Sequence, residues 1–157
     1  SDDDAMWLAD HAHTALAESF PVSSSSREKL EIFQDKASFG EFLANTRVQQ
    51  EQSARDIYRE FLNLSIARPE LADPDYCALQ GTAVAGAYAN YVEYMLYTAD
   101  QLLAVSPDWE ETMVEHATGH RAYLCAQSDW SDDSPAIRAF MGRFQADQCG
   151  GIQPDCS

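Results

Sequence analysis

The sequence predicts an all-α fold, a single-domain helical bundle of about five to six helices on the periodicity of its apolar residues. Three observations carry that prediction. Thr82–Val105 sets Val84, Tyr88, Tyr91, Val92, Met95, Leu96, Ala99, Leu102 and Leu103 on one stripe with the period of an α-helix, sustained for about six turns. No stretch alternates with the period of two that marks a half-buried strand. Ser106-Pro107 and Ser134-Pro135 each pair a capping serine with a proline, the punctuation of a helix start.

In chain order, residues 2–19 read as a first helix, with early aspartates at its positive end and a modest apolar face of Met6, Leu8, Ala12 and Leu16. Phe20-Pro21 ends it. Ser25 with Glu28 makes a capping box for a second helical region from Arg27 to about Ala67, with a break expected near Gly40. Leu30 and Phe33, then Phe39, Phe42 and Leu43, give it an apolar face. Asn45–Arg55 is almost wholly polar and reads as solvated or as a contact for another chain. Arg68-Pro69 stops the helix, because a residue before proline is pushed out of the α region.

Glu70–Gln80 reads as a connector and leads into the central helix over Thr82–Val105. One helix is expected over Pro107–Ala126, then an acidic loop over Gln127–Asp133 containing Trp130. A last helix carries Ile137, Phe140, Met141 and Phe144 and ends at Cys149-Gly150-Gly151. The domain reading is an N-terminal helical extension over residues 1–44, a bundle core over 45–148 and a tail over 149–157.

Composition narrows the function classes. The 157 residues suffice for one sizeable core. With 26 acidic residues against 10 basic, the formal charge is −16, and the basic residues form no cluster. Direct binding of nucleic acid is therefore not expected. No run approaches the ~18 apolar residues of a membrane span, so membrane association is expected only through a segment outside this chain. The localisation reading is cytoplasmic, with the cytoplasmic face of a membrane as a variant. Four cysteines are too few for a disulfide scaffold at this length. Cys77 and Cys125 read as small buried residues, and the flexible GGIQPD between Cys149 and Cys156 makes those two the candidate bridge, with a frayed tail carrying two free thiols as the alternative.

His116 and His120 are the one candidate metal pair at helical spacing, since residues four apart share a helix face. The residues between them are Ala-Thr-Gly, so the glutamate of a zinc-protease helix is missing. A hydrogen-bonded core histidine is the competing reading for His120. Di-iron carboxylate spacing, phosphate loops and nucleophile elbows are absent, and no cofactor is identified. Tyr58, Phe61, Tyr88, Tyr91, Tyr94 and Tyr97 either line a ligand pocket or pack a core with hydroxyls on polar partners.

The segments Tyr58–Tyr76 (YREFLNLSIARPELADPDY), Tyr88–Leu103 (YANYVEYMLYTADQLL), Trp109, His120–Cys125 (HRAYLC) and Ser134–Phe140 (SPAIRAF) resemble a group of small bacterial helical proteins of uncharacterised function. Many members of that group carry an N-terminal transmembrane helix, which residues 1–44 lack. The resemblance singles out Pro69, Glu70, His120, Tyr123, Ser134, Pro135 and Arg138 and implies no activity. With Tyr88 and Tyr91, the residues Glu70, His120, Tyr123 and Arg138 make the candidate site or structural network. Arg138 is expected to pair with Glu70 or Glu93.

The preferred functional reading is a helical module for protein interaction or regulation, with itself or another protein as partner, and non-enzymatic. The alternatives are a small-molecule or metal-binding bundle using His116, His120 and nearby tyrosines, and an acidic nucleic-acid mimic that fits a basic partner.

Overall fold

The computed structural model describes residues 25–151 and Cys156. Among them the chain is all-α, with seven helices: α1 (Ser25–Ala67), α2 (Pro69–Ala72), α3 (Tyr76–Leu79), α4 (Val84–Val105), α5 (Trp109–Thr118), α6 (Arg121–Ala126) and α7 (Pro135–Gln148). The expected helix over 2–19 lies outside the described residues. So do the side chains of the Ser25–Glu28 capping box and of Leu30 and Phe33.

The chain divides between Glu51 and Gln52 into two compact units. In the first, α1 runs through Gly40 without the expected break. One glycine costs about 1 kcal/mol in a helix, and good helix formers surround this one. Among the described residues nothing crowds Gly40. Thr46 Oγ1 donates back to the carbonyl of Phe42 at 2.9 Å, an intrahelical bond that leaves the run intact. Phe42, Leu43 and Val48 are exposed.

The second unit holds the core. Phe61, Met95, Leu102, Met113, Leu124 and Phe140 are fully buried, drawn from α1, α4, α5, α6 and α7. The central stripe of α4 packs inward at Tyr88, Tyr91, Val92, Met95, Leu96, Ala99 and Leu102, as its periodicity predicts. Thr98 joins them because its hydroxyl bonds the carbonyl of Tyr94 at 2.9 Å and needs no water.

Local chemistry explains where the helices stop. Arg68 takes φ −129° and ψ 64° ahead of Pro69, so α1 ends there. The stretch expected as a plain connector forms two short helices instead. Proline opens α2, and the Asp75 side chain accepts from the Ala78 N–H to start α3. Gly81 then turns the chain at φ 74°, a conformation costly for any residue with a Cβ.

The helix expected over Pro107–Ala126 is two helices. After Thr118 the chain tightens into three-residue turns, Gly119 N–H on the His116 carbonyl and His120 N–H on the Ala117 carbonyl. A Cβ at Gly119 would meet the His116 carbonyl oxygen at 3.4 Å, an ordinary contact distance, so the bend does not depend on glycine there. At the start of α7, Ser134 Oγ accepts from the Ile137 N–H and donates to Asp100 Oδ1 at 2.7 Å. The cap therefore also fastens α7 to α4. Gln145 of α7 in turn satisfies the carbonyls of Leu124 and Gln127 at the end of α6, at 3.1 and 2.9 Å.

Two disulfides close the unit, and they correct the expected cysteine pairing. Cys149 is bonded to Cys125 and Cys156 to Cys77, with Cα separations of 5.5 and 5.2 Å. Cys77 is exposed rather than buried. The expected Cys149–Cys156 bridge weighed only proximity along the chain. Packing of α7 on α6 instead brings Cys149 to Cys125. The loop closed through Cys77–Cys156 spans 79 residues, against 24 for the other.

Candidate functional site

Two regions of the second unit concentrate polar chemistry, and α4 contributes to both. The first is a buried histidine–tyrosine cluster. Tyr58 from α1 is hydrogen-bonded to His116 Nε2 at 2.8 Å, and Tyr88 from α4 to His120 Nδ1 at 2.8 Å. Tyr91 shares a 2.7 Å bond with Ser65 of α1 and lies with its ring 5.4 Å from that of His120. Tyr123 meets Tyr88 edge to face at 5.4 Å. Phe61 packs edge-on against His116 at 5.1 Å.

Burial sets the protonation of this cluster. Desolvation pulls His120 down to about 4, helped by the neighbouring His116 and opposed by Asp73. Desolvation likewise lowers His116, opposed by Glu115. The Tyr88 hydroxyl is pushed far up by burial and then by Tyr123, Tyr76 and Tyr91. At neutral pH both imidazoles are uncharged and each has one nitrogen on a tyrosyl hydroxyl.

His116 and His120, expected to share one helix face, do not lie on one helix. His116 closes α5 and His120 precedes α6, so the pair straddles the bend at Gly119 rather than sharing one helix. Among the described residues no group of three or more His, Cys, Asp or Glu is arranged to hold a metal ion.

Of the expected network, Tyr88, Tyr91, His120 and Tyr123 come together, while Glu70 and Arg138 do not join them. Glu70 is exposed and pairs with Arg68 two residues away, whose guanidinium holds its carboxyl below the usual range. Arg138 is exposed and donates to the carbonyls of Ser131 and Asp133, at 3.4 and 3.1 Å. The expected Arg138 pairing with Glu70 or Glu93 is therefore replaced by a clamp on the acidic loop. One turn into α7 its side chain reaches back over the loop just before the helix.

The second region is a cleft of about 510 Å³ between α4, Tyr123 of α6, the acidic loop and the start of α7. Glu93, Asp100, Asp132 and Asp133 line it, and Tyr97, Tyr123 and Trp130 give it aromatic walls. Ala89, Val92, Leu96 and Ile137 form its apolar part. The carboxylates feel one another. Burial raises the Asp133 pKa, Asp132 and Glu93 raise it further, Arg138 lowers it, and Asp100 adds a smaller push upward. Glu93 also raises Tyr123, after burial and Tyr76.

Trp130 carries a buried indole N–H without a hydrogen-bond partner among the described residues. Because that nitrogen is covered, Trp130 meets the cleft through other atoms. Sequence reasoning marked the loop and Trp130 but not their convergence with Tyr97 and Asp100. The available signal was the spacing of Glu93, Tyr97 and Asp100 at i, i+4 and i+7 on the polar side of the apolar stripe.

Comparison with family models, with curated proteins and with solved structures gives no match to this chain.

Proposed function

We propose that this chain is a helical ligand-binding module whose acidic cleft receives a positively charged organic group. One observation carries the reading: four carboxylates and three aromatic side chains line one cleft. A divalent metal wants several oxygen ligands in one tight shell. Aromatic walls instead favour an organic cation, whose charged group gains cation–π attraction beside the carboxylates while its stem covers the apolar lining. The cleft volume lies in the ordinary range for small-molecule sites.

The two disulfides favour an oxidising compartment over the cytoplasmic placement expected from the cysteine count. Among the described residues no helix is long and apolar enough to cross a membrane. Kinship with the bacterial helical group resembled by the sequence belongs to the same proposal and adds no activity to it.

Calorimetric titration with hexylamine, protonated at neutral pH, tests the reading. Binding is expected to the native chain and to weaken at least about fivefold in Asp133→Asn, the loss of one partly desolvated charge contact. Equal affinity in the native chain and in a variant carrying both Asp132→Asn and Asp133→Asn would place the binding elsewhere.

A second reading, protein interaction through α1, is favoured by the exposed Phe42, Leu43 and Val48. Its test is light scattering of the native chain beside Phe42→Ser. A smaller assembly in the variant supports it, and identical monomers exclude self-association through that residue.

A further inference from the structure

We infer that the natural ligand of the cleft is a linear polyamine, a flexible chain bearing two or more ammonium groups about 10 Å apart, the rise of seven residues along an α-helix. This rests on the reading of the cleft as a cation site and adds the length and valence of the ligand. Glu93 and Asp100 stand seven residues apart on α4, and both line the cleft. Between them lie Leu96 and Tyr97, also in the lining, so the two anionic points are separated by apolar and aromatic surface. A polyamine has the matching order of charge, methylene stem and charge, and long stems of this kind cover apolar surface while their charged heads stay solvated.

The groups opposite complete the match. Asp132 and Asp133 face α4 from the loop, supplying negative charge against a chain lying along the helix. Arg138 is engaged with the loop carbonyls of Ser131 and Asp133. Four carboxylates against that one guanidinium leave room for more than one added positive charge. One oxygen of Asp100 already accepts from Ser134 at 2.7 Å, which fixes its orientation and leaves the other oxygen for a ligand.

A peptide fits the lining less well than a polyamine, because a peptide backbone needs partners for its own N–H and C=O groups. Ser134 spends its hydroxyl on the α7 cap and on Asp100, and the indole nitrogen of Trp130 is covered.

The test is a calorimetric series on the intact, oxidised chain with hexylamine, putrescine, diaminooctane, spermidine and a lysine-rich heptapeptide at one ionic strength. Diaminooctane and spermidine are expected to bind up to about fivefold more tightly than hexylamine, the gain from one further charge contact at the cleft surface. Putrescine, too short to span Glu93 and Asp100, is expected near hexylamine. Glu93→Gln and Asp100→Asn should each abolish the advantage of diaminooctane over hexylamine measured on the same variant.

If hexylamine binds as tightly as diaminooctane, the polyamine inference fails and the cation site stands. Tighter binding of the heptapeptide than of spermidine overturns the inference in favour of a basic protein partner. If none of the amines binds, both the inference and the reading beneath it fail.

Discussion

The histidine–tyrosine cluster and the acidic cleft share α4 yet treat polar groups in opposite ways. In the cluster, each histidine has a nitrogen on a tyrosyl hydroxyl, and burial holds both imidazoles uncharged. In the cleft, burial and then the facing carboxylates of Asp132 and Glu93 raise the pKa of Asp133. Buried polar groups that are satisfied stabilise a fold and specify it. Like charges gathered beside aromatic side chains cost stability, and a cation would relieve that cost. On this contrast the histidines, which the sequence made the more obvious site, are assigned to the framework, and the proposed binding chemistry is assigned to the cleft.

Several perturbations separate these two roles. The largest effect is expected on the shared frame. Cys125→Ser with Cys149→Ser opens the 24-residue loop that joins α6 to α7, at a cost of about 3 kcal/mol on the chain-entropy estimate. Denaturant unfolding of the double variant measures it.

Acid comes next. His120 sits near 4 when folded and at its ordinary value of 6.5 when unfolded. The unfolded chain thus binds the proton first, and the contribution of neutral His120 is complete above pH 6.5 and lost as pH falls towards 4. The groups facing it are Tyr88, Tyr91, His116 and Asp73, of which Asp73 alone favours the charged form. The decline is expected to reach about 3 kcal/mol at most. Chemical denaturation between pH 7 and 4 should show it, and His120→Gln should flatten that part of the profile.

Tyr88→Phe removes the partner of a buried imidazole nitrogen and should cost about 2 kcal/mol. A change near zero would show that the Tyr88–His120 bond has no structural weight. The smallest expected effect belongs to the cleft. Asp133→Asn should change stability by no more than about 0.5 kcal/mol, in the stabilising direction, because it relieves repulsion. A marked loss of stability there would make the cleft part of the framework and erase the contrast.

Much of the fold was legible because it rests on local signals. The stripe of α4, the stop at Arg68-Pro69 and the capped start at Ser134-Pro135 each state their structure within a few residues. The bend at Gly119 was not legible, since an isolated glycine is usually tolerated within a helix. It forms here while His120 is held by Tyr88, a contact 32 residues distant. The disulfide pairing was hidden for the same reason: Cys125 meets Cys149 only once α7 has packed on α6. Arg138 was assigned a carboxylate on charge alone, whereas its reach from the first turn of α7 ends on the loop carbonyls. The cleft needs α4, α6, the loop and α7 together, and only the spacing of Glu93, Tyr97 and Asp100 was visible in advance.

The most direct test of the cleft as a cation site compares hexylamine with hexanol, which share a stem and differ in charge. Both are titrated into the native chain while the indole N–H resonance of Trp130, assigned by its loss in Trp130→Phe, is followed by nuclear magnetic resonance. The account predicts a saturable shift with hexylamine that weakens as salt is raised, and little or none with hexanol at equal concentration. Equal shifts with the two, or a Trp130 resonance that hexylamine leaves in place, would contradict it.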